Sequence, residues 1–271
     1  MTKQSRLSRW IPKDIRALGE RMQFNTSPSG YDAWGFHEEE ALLSLTVSRW
    51  LYENYFRVQC HGAEHVPHSG RCLIIANHSG QVFPVDAMMI ATAVALRDEA
   101  PRAIRAMAER FFPKTPFLGD FIFRAGMTLG DPINCERLLN REEAILVFPE
   151  GERGFIKSPD QKYQLQRMGN GFVRLAIETG TPIIPVGVVG CEELTPNFGR
   201  DTWLAPKLGL PALPLSPPIA LPARVHLNFG APIVFEDGNY SDGEYDAMVR
   251  TVRHEIEQLI AKGLQQRTSI Y

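Results

Sequence analysis

The sequence predicts a single α/β domain built on a mostly parallel central sheet flanked by helices, with further helices at the N-terminus. Three observations predict it. The runs "CLIIANH" (72–78), "AILVFPEG" (144–151) and "TPIIPVGVVG" (181–190) are apolar enough to be strands buried on both faces. Segments of helical spacing alternate with the strands, as a parallel sheet requires. No linker-like stretch interrupts the chain after residue 36, and 271 residues suit one large domain.

Taken in order, residues 1–36 read as a basic amphipathic helix and a polar loop. Residues 1–21 carry six basic side chains against two acidic ones, and Trp10, Ile11, Ile15, Leu18 and Met22 share a helical face. Two readings stay open for this helix: an anchor on an anionic membrane surface, or a helix docked on its own domain. A second helix begins near His37, with Glu38, Glu39 and Glu40 at the positive end of its dipole and Leu42, Leu43, Val47, Trp50 and Leu51 recurring at helical spacing. Strands follow at 56–62 and 72–78, a helix at 86–96 and a strand at 104–108. Residues 111–124 read as irregularly helical, then a short strand near Met127 and a helix over 134–140. Beyond the strand at 144–151, "NGFVRLAIETG" (170–180) is a helix stopped by Gly180, and 181–190 and 224–230 are strands. Ser241 and Glu244 suggest a capping box for the last helix, whose apolar stripe runs from Tyr245 to Ile260.

Composition narrows the class. A charged fraction of 22% with a net charge of -2 gives no footprint of nucleic-acid binding. The four cysteines lack a C-x-x-C pair and follow no secretory signal, so they read as free thiols of a reducing, cytoplasmic compartment. No apolar run is long and helical enough to span a bilayer, and five prolines rule out a regular helix over 208–223.

Chemistry gathers just past the carboxyl ends of strands in such a sheet. His78 follows a buried strand and is a candidate general base, with Asp86 as the carboxylate that would fix its tautomer. Asp86 equally suits the N-cap or first turn of the helix it begins, and His78 alone suits a structural histidine. In "VFPEGERGFIK" (147–157), the Pro-Glu-Gly turn exposes backbone N–H groups, and Arg153 and Lys157 follow closely; such a loop suits a phosphate or the polar end of a substrate. His61, His65 and His68 lie in a strand–turn–strand stretch without H-E-x-x-H spacing, so no metal site is expected. There is neither a G-x-S-x-G elbow nor a P-loop.

Together, "ANHSG" with a downstream Asp, "VFPEGER" and "TPIIPV" resemble the glycerolipid acyltransferases, the lysophospholipid acyltransferase superfamily, over roughly residues 45–236. "NHSG", the stretch from "YQLQRMGNGF" to "VGVVG" and the Pro-rich insertion look closest to the branch of monoacylglycerol and diacylglycerol acyltransferase-like proteins. The resemblance implies a glycerol-phosphate acyltransferase-like fold over 37–271. It also implies transfer of a fatty acyl group from a thioester, on coenzyme A or acyl carrier protein, to a glycerolipid or lysophospholipid hydroxyl. No covalent acyl-enzyme, cofactor or metal would be needed. His78 and Asp86 would be catalytic, with Asn77, Ser79, Gly80, Glu150, Gly151, Arg153 and Lys157 binding substrate. A peripheral position on a membrane surface would follow from such substrates. The acyl chain would need a groove, and Phe83, Met88, Met89 and the Pro-rich stretch suit either that groove or plain core packing.

Two departures matter. Seven residues separate His78 from Asp86, against four in the usual motif. Where phosphate-accepting members carry an arginine, "GMTLGDPIN" (126–134) has none and contains Asp131, so a phosphate would need Arg153, Lys157 or Arg167. These departures keep open a second class of function, a lipid-binding adaptor that retains the fold without catalysis.

Overall fold

The apolar runs do form the middle of a sheet, and the order in which they are stacked brings three loop regions together. The structure, a computed structural model, describes residues 8–79, 84–109, 118–155, 157, 159–194, 200–201, 213–214 and 220–271. In chain order its helices are α1 (Lys13–Arg21), α2 (Glu38–Trp50), α3 (Val85–Ala95), α4 (Leu118–Arg124), α5 (Pro132–Leu139), α6 (Glu152–Phe155), α7 (Gly171–Glu178) and α8 (Asp242–Gln266). Its strands are β1 (Gln59–His61), β2 (Cys72–Ala76), β3 (Arg105–Ala108), β4 (Thr128–Leu129), β5 (Ala144–Val147), β6 (Ile183–Val189), β7 (Arg200–Asp201), β8 (Leu213–Pro214) and β9 (His226–Phe229).

Seven strands pair in the order β1-β9-β6-β2-β5-β3-β4, while β7 and β8 form a separate antiparallel pair. In the centre, Ile74 of β2 is flanked by Leu146 of β5 and Ile184 of β6, both parallel. The one antiparallel junction joins β6 to β9, and β1 then pairs parallel to β9. Alternation along β2 sends Ile74 and Ala76 to a layer with Met89, Ile90 and Val94 of α3. Leu73 and Ile75 face the other layer, with Leu138, Val173 and Val252 of α5, α7 and α8.

Local chemistry sets the helix ends. His37 caps α2, its Nδ1 accepting the N–H of Glu40 at 3.4 Å. The Glu244 carboxylate accepts both the N–H (2.8 Å) and the hydroxyl (2.7 Å) of Ser241, closing the box expected for α8. Helix α5 begins earlier than its apolar spacing suggests: Asp131 caps it by accepting the Asn134 N–H at 2.9 Å, and Pro132 occupies the first turn.

The N-terminal segment shares a core with the rest of the chain. Ile11, Ile15 and Met22 are buried with Leu45 of α2 and Ala95 of α3, while Trp10 stays 65% exposed. The loop that follows is pinned by a buried ion pair between Asp32 and Arg105 of β3, whose guanidinium also donates to Gly126 and Thr128 and lies 5.0 Å from the Phe36 ring centroid. Most of the Pro-rich stretch lies outside the described residues, as do Gly80 and Phe83. Among the described residues, no helix is long and apolar enough to cross a membrane.

Helix α8 lies directly on β6. A Cβ on Gly187 would stand 2.6 Å from the backbone N of Ile260 and 2.6 Å from the carbonyl carbon of Leu259, so only glycine permits this approach. Gly187→Ala should therefore lower unfolding stability by about 1–3 kcal/mol, the usual cost of overpacking. Urea denaturation checks it, and an unchanged midpoint would refute the direct backbone contact.

Candidate active site

Strand β2 runs fully buried to Ala76, and the chain then leaves the sheet at Asn77. The Asn77 amide spans to β6: Nδ2 donates to the Val188 carbonyl (3.0 Å) and Oδ1 accepts the Val188 N–H (2.7 Å). This adds a rung after the backbone pairing of β2 and β6 has ended, and it fixes where His78 emerges.

Four groups hold His78. Its backbone N–H donates to Oε1 of Glu150 at 2.9 Å. Its ring stacks on Phe148, with centroids 4.4 Å apart and planes 21° from parallel. Its Nδ1 lies 2.6 Å from Oδ2 of Asp86. Gly154 of α6 presses on it from above, since a Cβ there would lie 2.7 Å from the Cβ of His78 and 3.0 Å from that of Glu150.

Asp86 is wholly buried in the first turn of α3, yet it is not the cap: that position is Pro84, which makes no side-chain cap bond. The Asp86 carboxylate turns back to the strand end, accepting also the Ser79 N–H (2.8 Å) on Oδ2 and the Ala87 N–H (2.8 Å) on Oδ1. Burial, the largest influence, favours its neutral form. The charge and hydrogen bond of His78, with those two N–H groups, outweigh burial and hold the carboxyl below its ordinary value. An ionised carboxylate only accepts hydrogen bonds, so the proton of a neutral imidazole sits on Nδ1 and Nε2 is the basic nitrogen.

Behind the histidine lies a second set of buried charges. Glu150 accepts the Gln166 N–H on Oε2 at 2.5 Å, and Lys157 Nζ stands 3.6 Å from the same oxygen. Lys157 also donates to Oε1 of Glu192 at 3.1 Å, and Glu192 Oε2 accepts the Tyr163 N–H at 2.9 Å. Next along the chain, Glu193 pairs with Arg267 at 2.9 Å and with the Tyr163 hydroxyl. Burial raises the Glu192 carboxyl despite the Lys157 ammonium beside it.

A cavity of about 260 Å³ opens on His78, walled by Phe148, Met107, Leu175 and the acidic residues Glu109 and Asp131. A larger apolar cavity of about 600 Å³ lies between α2, α3 and α4, and both are bounded by Pro84, Ala87 and Met127. The nearby thiols are poor nucleophiles. Burial pushes Cys135 up to about 11, and burial, then the charge of Asp86, raises Cys191 well above its ordinary value.

A family model described as Acyltransferase matches residues 57–189. An uncharacterized protein of Mycobacterium tuberculosis is 34% identical over 96% of this chain and 78% of its own length. A bovine protein, named a DGAT1/2-independent enzyme synthesizing storage lipids, is 26% identical over 66% of this chain and 52% of its own. The crystal structure of the 1-acyl-sn-glycerophosphate (LPA) acyltransferase PlsC from Thermotoga maritima shares the fold, with a TM-score of 0.56 at 18% identity over 86% of this chain and 83% of that one.

The chain belongs to the acyltransferase family.

In this acyltransferase the residues singled out from sequence occupy different stations. His78 and Asp86 meet in spite of their long spacing. Asn77 has both amide atoms engaged by Val188, and the carboxylate of Glu150 binds the backbone of His78 and Gln166, so both shape the site from within the protein. Gly151 turns the chain with φ of 56°, a left-handed conformation suited to glycine. Ser79 is buried with its hydroxyl beside the Cys191 thiol, and Arg153 is exposed on α6. Lys157, read from sequence as a substrate contact, is buried and engaged by two carboxylates. Sequence reasoning gave no role to Phe148, Gly154, Glu192 or Glu193, although Phe148 and Gly154 both stand in the quoted stretch "VFPEGERGFIK".

The sign of the Asp86 shift gives a pH test. Its folded carboxyl binds a proton less readily than the unfolded chain, so its stabilising contribution is complete above the ordinary value of 3.8 and is lost as pH falls through the folded value. In Asp86→Asn, unfolding free energy should fall less steeply with pH below 3.8 than in the parent protein. Urea midpoints across that range measure the slope, and parallel curves would show that Asp86 is not held ionised.

Proposed function

We propose that the protein moves a fatty acyl group from an acyl thioester, carried by coenzyme A or acyl carrier protein, to a hydroxyl of an uncharged glycerolipid. The observation that carries this reading is a histidine oriented by a fully buried carboxylate, facing one cavity beside a larger apolar one. His78 Nε2 takes the proton of the acceptor hydroxyl as its oxygen attacks the thioester carbonyl. The new C–O ester bond forms, the C–S bond breaks, and the leaving sulfur takes the proton from the imidazolium. Asp86 keeps the ring in the productive tautomer and stabilises its charged form. A base near a carbonyl already activated by sulfur needs mainly correct positioning, so no covalent acyl-enzyme or cofactor is required.

The walls support an uncharged acceptor. Glu109 and Asp131 line the chamber that holds His78, and a phosphate monoester brought beside them would be repelled. The exposed Arg153 suits the phosphates of a coenzyme A donor. The larger chamber suits an acyl chain, with Met88 and Phe121 on its walls. Met89, by contrast, is a fully buried core residue.

Two tests follow. Thiol release from a long-chain acyl-CoA should depend on added mono- or diacylglycerol and exceed that with lysophosphatidate. In His78→Ala it should fall by at least about 100-fold. Unchanged release in that variant defeats the mechanism, and vesicle binding without any release would favour the adaptor. For the membrane, Val47 (58% exposed) and Trp50 (57%) stand on α2, and Trp50 and Phe121 also border the large cavity. We expect Val47→Asp with Trp50→Ala to weaken sedimentation with anionic vesicles severalfold, placing the cavity mouth against a cytoplasmic membrane face. Undiminished binding would move the contact elsewhere.

A further inference from the structure

We propose that Lys157 and Glu192 are positioning residues for His78, acting through Glu150 rather than by touching substrate. Glu150 is the only described side chain that accepts the His78 backbone N–H, and its two oxygens serve two segments: Oε1 takes the His78 N–H and Oε2 the Gln166 N–H. Both bonds are strongest to an ionised carboxylate, because a proton on either oxygen weakens that atom as an acceptor and sets an O–H close to an N–H.

The carboxylate is fully buried, where a lone charge is costly to hold. Its compensating cation is Lys157, whose side chain is only 6% exposed. An ammonium this deeply buried is poorly placed to greet a mobile anionic substrate. It has two partners already, Glu150 at 3.6 Å and Glu192 at 3.1 Å. Glu192 is in turn oriented by the Tyr163 N–H, so the ammonium is fixed from the far side.

The charged and titratable surroundings of Glu150 are these. His78 follows β2 and pairs with Asp86 of α3, and Cys191, Glu192 and Glu193 follow β6. Tyr163 joins Glu192 and Glu193, Arg267 just past α8 neutralises Glu193, and Arg253 of α8 donates to the carbonyls of Leu165 and Gln166. Glu109 reaches toward Gly151, its Oε1 being 3.5 Å from where a Cβ on that residue would sit. Lys157 is the cation in salt-bridge range of Glu150 among the described residues. Removing it leaves Glu150 and Glu192 without the charge between them, and a proton is then taken up at higher pH.

The test uses the full chain in four forms: Lys157→Met, Lys157→Arg, Glu192→Gln, and Lys157→Met with Glu192→Gln. Its activity arms rest on the acyl-transfer reading above. With a long-chain acyl-CoA and monoacylglycerol, Lys157→Met should lower kcat by about 10–100-fold while KM for acyl-CoA stays within about threefold. The acidic limb of its pH profile should move upward by about one unit. Adding Glu192→Gln should recover about fivefold or more of kcat and return the limb toward its original place. Lys157→Arg should retain most activity. A tenfold rise in KM with an unmoved pH limb would instead make Lys157 a substrate contact, and a double variant no better than the single would refute the coupling.

Should Lys157→Met not fold, Glu192→Gln decides: its acidic limb should move to lower pH, and an unmoved limb overturns the proposal. A second readout stands apart from turnover. In protein labelled with ¹⁵N-histidine, the His78 amide resonance should titrate with pH in Lys157→Met at a higher pH than in the parent, and the double variant should suppress this change. That arm still decides the pair if the parent protein releases no thiol, an outcome that would defeat the acyl-transfer reading by itself. A resonance that responds identically in all forms overturns the pair.

Discussion

The carboxylate of Glu150 is the junction on which the site depends. It stands where the β5 exit turns back, and it binds the amide of His78 at the β2 exit and that of Gln166 in the segment leading to α7. Three regions distant in sequence are thereby held to one point. The hydrogen-bonded geometry has a cost, because burying an ion sacrifices several kcal/mol of hydration. The protein offsets this with two N–H donors and an ammonium, and offsets the charge of Asp86 with an imidazole and two more N–H groups. Both carboxylates accept from two backbone donors each, whose positions are set by the course of the chain and not by flexible side chains.

The same logic explains why the loops stay close above the sheet. Asn77 extends the β2–β6 ladder by side-chain bonds, so the chain is still on the sheet when it reaches His78. Phe148 covers one face of the imidazole, and the absent side chain of Gly154 lets the turn settle on it. Packing against an aromatic ring excludes water from that face, while the other interactions fix the ring edge-on to Asp86.

Much of the fold was legible because burial on both faces leaves a plain mark: "CLIIA" and "IIPVGVV" are read as central strands without knowledge of their neighbours. Strand direction leaves no such mark, since an apolar run at β9 looks the same parallel or antiparallel to β6. His78 and the Pro-Glu-Gly turn were legible as chemistry in suggestive places. The pairing with Asp86 was offered by the motif but left open against a helix cap, because spacing along a chain does not say that a first-turn carboxylate points backward out of its helix. The surroundings of Lys157 were hidden for a related reason: a lysine after a glycine turn reads as exposed until two buried glutamates are seen beside it. Likewise Asp32 and Arg105 lie 73 residues apart, and their ion pair exists only through the fold.

The antiparallel junction between β6 and β9 also divides the sheet by polarity. Gln59 lies level with His226 and hence with Val189 at the carboxyl end of β6, whereas His61 is level with Asn228 and Gly187, farther toward the opposite rim. The chain beyond β1 therefore leads away from His78. The histidine-rich stretch at 61–68, conspicuous in the sequence, is kept on the far side of the molecule from the reacting groups. Reversing β9 and β1 sets a lateral boundary: their carboxyl ends lie on the rim opposite to that where β2 and β5 deliver His78 and Glu150.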